Sequence, residues 1–174
     1  MPAQVFDLNP VTRITTDAIG PPGQRVFYLQ ARQGAKIVTL IVEKEHIAAL
    51  AEAADRLLLM LAGDDPVRAV DINDVPEQHM ELDWPLEPAF RVGHLALGYD
   101  EVGGNLVIVC YELLGDDDPD DPSVARFWVT PREMRALSQH GQEVVAAGRP
   151  ICAMCGQPID PEGHFCARKN GHRS

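Results

Sequence analysis

No stretch of this 174-residue chain approaches the roughly 18 consecutive apolar residues that a membrane-spanning helix requires. Its opening, Met1-Pro2-Ala3-Gln4-Val5-Phe6-Asp7, has neither the basic start nor the apolar stretch of a secretion signal. Positive charge is scarce. Fifteen Lys and Arg stand against 26 Asp and Glu, and the formal net charge of -11 opposes contact with nucleic acid or an anionic membrane surface. Catalytic signatures are missing too: no G-x-S-x-G, Walker-type or G-x-G-x-x-G pattern occurs, so serine-hydrolase, P-loop and Rossmann chemistry have no support. Cysteine is sparse, and its four copies do not form a disulfide framework. A cytoplasmic protein is the expectation.

What is present begins with ordinary globular composition, 45 % apolar and 24 % charged, enough for one domain and a small appendage. Val26 to Arg32 and Lys36 to Val42 read as a β-hairpin turning at Gln33-Gly34-Ala35. Val5 to Leu8 and Val11 to Thr16 are weaker strands, set off from the hairpin by Gly20-Pro21-Pro22-Gly23. Glu43 to Leu61 carries an apolar stripe at helical spacing, through Ile47, Leu50, Ala51, Ala54, Leu57, Leu58 and Leu61, and Gly63 with Asp64-Asp65-Pro66 ends it. Prolines and acids then fill a long irregular stretch to Pro88, of the kind that often carries function. A second hairpin, Ala89 to Tyr99 and Asn105 to Leu114, turns at Val102-Gly103-Gly104, and Val124 to Val129 is a further strand. Thr130-Pro131-Arg132-Glu133 opens a helix to about Ala147, with Thr130 as N-cap and Glu133 closing a capping box. Gly141 in its middle is a local weakness.

Hairpins dominate and no βαβ rhythm stands out, so the expected fold is α+β: a largely antiparallel sheet with two helices over residues 1–148, plus a small C-terminal zinc-binding segment at 149–174. The stretches 1–63 and 89–148 share an order of strands then helix. Val42 stands eight residues before Leu50 as Val129 does before Leu137, which raises an internal duplication; any strand-to-helix joint would look alike.

Chemistry is clearest in the tail. The last 23 residues hold three of the four cysteines, in the order Cys152, Cys155, His164, Cys166, His172. Cys152-Ala-Met-Cys155-Gly156 resembles a zinc knuckle, in which two thiolates grip one side of the ion and the glycine allows the tight turn behind them. In an extended His164-Phe165-Cys166 segment the first and third side chains share a face, so both can reach the same ion. The expected ligands are Cys152, Cys155, His164 and Cys166, with His172 as the alternative fourth ligand. A closed four-coordinate site of this type is structural. A redox pair of Cys152 and Cys155 is the main competing reading, although Pro158 and Gly163 break up any thioredoxin-like pattern. The tail from residue 149 carries four cations against two acids, leaving -13 on the rest of the chain. Arg168, Lys169 and Arg173 offer only a small footprint for nucleic acid, with Phe165 as the lone aromatic beside them.

Elsewhere the candidates are weaker. His79, Glu81 and Asp83 alternate and would share a face in an extended segment, though a solvated loop is the plainer reading. The run Asp116 to Asp121 lacks the glycine and glutamate spacing of an EF-hand and reads as a charged turn. His94 alternates with Phe90 and Val92, as a partly buried histidine of the sheet would, and Cys110 reads as a buried reduced thiol.

Phe6-Asp7-Leu8-Asn9-Pro10, the stretch Gly23 to Arg32, the Glu43-Lys44-Glu45 joint and the tail from Cys152 through Gly163-His164-Phe165-Cys166 to Arg168, Asn170 and Gly171 together resemble an uncharacterised actinobacterial conserved-hypothetical family, a domain of unknown function. The resemblance spans nearly the whole chain and favours His164 as the fourth ligand. It also implies two gene neighbours, one histidine-phosphatase-like and one resembling lipid kinases, and no activity. The expected function is a zinc-stapled module that binds or regulates a protein partner, with an enzyme acting on a phosphorylated or other small substrate through residues 71–83 and Arg25 or Arg32 as the alternative.

Overall fold

The computed structural model describes residues 3–21, 23–63, 80–117 and 121–147. Seven strands, β1 (Val5–Leu8), β2 (Arg13–Ile19), β3 (Val26–Gln33), β4 (Lys36–Val42), β5 (Pro88–Asp100), β6 (Asn105–Glu112) and β7 (Val124–Val129), form one sheet in the order β1-β7-β6-β5-β4-β3-β2. Helices α1 (Lys44–Ala62) and α2 (Pro131–Ala147) follow β4 and β7. The fold is α+β, but the sheet is mixed where a largely antiparallel one was expected. β4 pairs with β5 in parallel and β1 pairs with β7 in parallel. The first departure arises because the connection through α1 returns the chain to start β5 alongside β4, making the βαβ crossover that the hairpin signals concealed. The second joins residues 119 apart, for which no local pattern exists.

The sheet curls. β1 and β2 are its two edges, yet only residues 9–12 separate them. In that link the Val11 N–H donates to the Trp128 carbonyl of β7 at 2.9 Å and the Thr12 N–H to the Arg32 carbonyl of β3 at 2.7 Å. The link thus extends the β1–β7 pairing at one end and the β2–β3 pairing at the other, so one short stretch of chain joins the two outer strand pairs of the sheet. Phe6 of β1 meets Phe90 of β5 across the concave side, ring centres 6.2 Å apart.

Period-two alternation sorts the side chains. Ile14 and Thr16, Phe27, Leu29 and Ala31, Val38, Leu40 and Val42, and Phe90 turn to the concave face; on the far strands so do Leu106, Ile108, Cys110, Ala125, Phe127 and Val129. Both helices bury their apolar stripes there, with Ile47, Leu50, Ala54 and Leu58 from α1 and Met134, Leu137 and Val144 from α2. The start of α1 is closed by Glu43, whose N–H donates to His46 Nδ1 at 3.0 Å. Thr130 and Glu133 make the reciprocal capping box at α2, at 2.9 and 3.1 Å. Gly141 has a packing reason for being where it is: a Cβ there would sit 3.0 Å from Ile47 Cγ2 and 3.6 Å from Thr16 Cγ2, so its bareness lets α2 lie close to both α1 and β2.

Phe127 is fully buried at the centre of this core. Replacing it with alanine removes a ring that the curled sheet cannot collapse to fill, and should cost about 3–5 kcal/mol in urea unfolding. A loss below about 1 kcal/mol would show that the concave face is more loosely filled than its burial implies.

Candidate functional site

The concave face is full. The cavity between helices and sheet, lined by Thr16, Leu29, Ile47, Leu50 and Leu137 among others, holds about 10 Å³, too little for any ligand. An open groove of about 350 Å³ runs along α1 and α2 past Ala48, Glu52, Asp55, Gln142 and Val145. Its central acid is already engaged: Asp55 accepts from Ser138 Oγ at 2.7 Å, Arg135 at 2.9 Å and Gln142 at 3.0 Å. That network ties α2 to α1 and leaves the groove little convergent chemistry.

The convex face is different. Across β2, β3 and β4 the register aligns Thr15, Gln30 and Thr39 in one row, all buried although all polar. One step along, Arg13 and Arg32 are direct cross-strand partners. Like charges opposite one another destabilise a ladder unless an anion lies between them. Asp83 supplies it, with Oδ2 at 2.7 Å from Arg13 Nη1 and 3.4 Å from Arg32 Nη1. The rest of the segment is fixed by polar contacts. The Gln30 side-chain amide takes both backbone groups of Asp83, accepting from its N–H at 2.7 Å and donating to its carbonyl at 3.0 Å. Gln30 also donates to Thr39 Oγ1 at 3.0 Å, and Thr15 Oγ1 donates to the Met80 carbonyl at 2.6 Å. Arg13 donates further to the Glu81 carbonyl. Leu82 is buried beneath this segment while Trp84 stands 67 % exposed. Asp83 is thus docked, and the expectation of a solvated loop is corrected at this residue.

On the other half of the convex face no described element covers the sheet. His94 stacks on Tyr111 with ring centres 5.7 Å apart, and Arg126 lies over Trp128 at 5.7 Å. Asp7 grips Arg126 through two bonds of 2.7 and 2.6 Å, and this hydrogen bonding, with the charge of Asp7 second, raises the guanidinium pKa. His94 is exposed, where a partly buried position was expected. The cause is a register shift between Val92 and His94, which turns the histidine to the outer face. Gly93 lies within the shift, and a Cβ on it would meet Leu113 Cα at 2.9 Å.

The alternation of Glu81 with Asp83 pointed toward this region, and Arg32, one of the two arginines named with that loop, pairs with Asp83. Arg25 does not: its Nη1 donates to the Val144 carbonyl at 3.0 Å and it lies over Phe27, at the α2 side. Sequence reasoning missed Arg13, Thr15, Gln30 and Thr39. The signal was available, since polar residues at alternate positions within otherwise apolar strands mark a second face. Residues 71–79, including His79, and the tail with Cys152, Cys155, His164, Cys166 and His172 lie outside the described residues. Among the described residues no three His, Cys, Asp or Glu side chains converge as metal ligands, and no helix is long and apolar enough to cross a membrane.

These features define an α+β protein with a curled mixed sheet and a polar cluster on its convex side. A family model described as "Protein of unknown function (DUF3090)" matches residues 6–166, and the chain belongs to that family. No curated protein and no solved structure matches it.

Cys110, fully buried in β6, has its thiol pKa pushed up to about 12 by desolvation. Only the thiolate alkylates readily, so iodoacetamide at pH 8 should leave Cys110 unlabelled in the folded chain and label it after denaturation, as peptide mass mapping would read. Because the folded thiol resists ionisation more than the unfolded one, the stability it lends is intact below about pH 9 and should fall as pH rises from there toward 12.

Proposed function

We propose that the protein is a cytoplasmic, non-enzymatic module that binds or regulates a protein partner and is stapled at its C-terminal end by one structural zinc ion. Cys152, Cys155, His164 and Cys166 are the ligands. The observation that carries this reading is where the family match stops: it ends on Cys166, taking in all four of these residues and leaving out His172. A tail that belonged to the domain only by accident would have no reason to fall inside the match up to its last thiol. Three thiolates and one imidazole make a closed tetrahedral set, which supplies folding energy and no open position for a substrate. The histidine-phosphatase-like and kinase-like neighbours implied by the resemblance are the partners to try first.

Elemental analysis of the purified full chain should find zinc near one per chain, and Cys152→Ser should lose it while the far-ultraviolet circular dichroism of the sheet and helices persists. If the same variant also loses a partner that the unaltered chain retains on affinity purification, the staple and the binding surface are linked. Absence of zinc, with Cys152 and Cys155 cycling between dithiol and disulfide, would replace this reading with a redox one.

A further inference from the structure

On the convex side β5, β6 and β7 set their outward residues in rows fixed by register. Gly98, Val107 and Trp128 form one row, and Ala96, Val109 and Arg126 the next. His94, Tyr111 and Val124 make a third at the rim, where Tyr111 is 37 % exposed. Across the first two rows size rises in one direction: β5 is nearly bare, β6 carries valine and β7 carries the bulky side chains. A Cβ added at Gly98 would meet no atom within 4 Å, so the strip along β5 is an open trough. Trp128 and Arg126 stand beside it as a ridge, the guanidinium 5.7 Å from the indole centre and held there by Asp7.

A face with that gradient is complementary to itself. A twofold axis parallel to β6 turns one copy over onto another, so that β7 of each lies over β5 of the other and β6 faces β6. Every row then meets the same row. Trp128 of one copy falls over Gly98 of the other and Arg126 over Ala96, while Val107 and Val109 meet their own counterparts. Stacked sheets keep their strand directions within about 30°, which preserves this match over a few rows. Charge permits the same contact. The whole chain carries -11, yet the acid beside these rows, Asp7, is already joined to Arg126 by two hydrogen bonds. Two copies meeting through these rows set no unpaired carboxylates against each other.

From this register we infer that the face of β5, β6 and β7 is the contact between two copies of this chain in a symmetric dimer. Three rows of three residues fall short of the roughly 20–30 residues a side of a standard interface, so the dimer is weak and reversible. The contact uses residues of the sheet alone and stands whether or not the tail binds zinc.

Sedimentation equilibrium of the full chain, from about 5 to about 500 µM, should show monomer passing to dimer as concentration rises. Val109→Asp, on the axis, sets two carboxylates against each other and should weaken the association at least about tenfold; Val109→Lys should do the same with two ammonium groups. An equimolar mixture of the two variants should recover the dimer, since an acid then faces a base. Should either variant fail to fold, Gly98→Trp, placed where a side chain has room, should abolish the dimer by setting indole against indole. Adding Trp128→Ala to it exchanges trough and ridge and should bring the dimer back. A chain that stays monomeric throughout overturns the proposal, whether the face is left to solvent, to residues 148–174 of the same chain or to a different protein. A dimer unmoved by Val109→Asp or Gly98→Trp, or folded Asp and Lys variants that do not associate on mixing, overturns it equally.

Discussion

The fold depends on the short link between β1 and β2. Two strands that are neighbours in sequence sit at opposite edges of a seven-stranded sheet, and residues 9–12 can join them only if that sheet curls. Curling gives the sheet an inside and an outside with different chemistry. The inside is narrow, and Phe6 and Phe90 meet across it. Two helices and the apolar residues of seven strands fill it nearly completely, leaving a cavity of about 10 Å³.

On the convex face the two halves of the sheet have been finished differently. Over β2, β3 and β4 the row of Thr15, Gln30 and Thr39, with Arg13 and Arg32 beside it, is covered by a segment held partly through its own backbone. Over β5, β6 and β7 the outward residues include His94, Tyr111, Arg126 and Trp128 beside the aliphatic Val107 and Val109, and no described element lies on them. The first arrangement resembles the way a protein holds a ligand, with one amide reading two backbone groups and two cations reading one acid.

Most of the elements were legible in the sequence, because their signals are local. The hairpin at Gln33-Gly34, the stripe of α1 and the Thr130-to-Glu133 box need only neighbouring residues, and each appears within a residue or two of its expected bounds. The sheet order was not legible. Pairing β1 with β7 is decided by the closure of the whole sheet, and the parallel pairing of β4 with β5 by the path of the chain after α1. His94 failed for a smaller reason, since one register slip inverts the face of every residue beyond it. The polar cluster was half legible: Asp83 and Arg32 were in view, but their meeting required knowing that Arg13 is opposite Arg32, which is a statement about register. The expectation of a metal site at Cys152, Cys155, His164 and Cys166 was read from spacing alone, and those residues lie outside the described ones.

The pairing of Asp7 with Arg126 has a consequence for how this protein comes into being. The two residues are 119 apart, so on a ribosome β1 emerges first and its partner strand follows on the order of 6 to 24 s later, at ordinary elongation rates. Through that interval β2, β3 and β4 can pair as a meander, but without β7 the sheet that covers their apolar face is incomplete. Synthesis order therefore makes the earliest strand the last to lock, and the window in which a chaperone has most to offer this chain lies between the appearance of β4 and the arrival of β7.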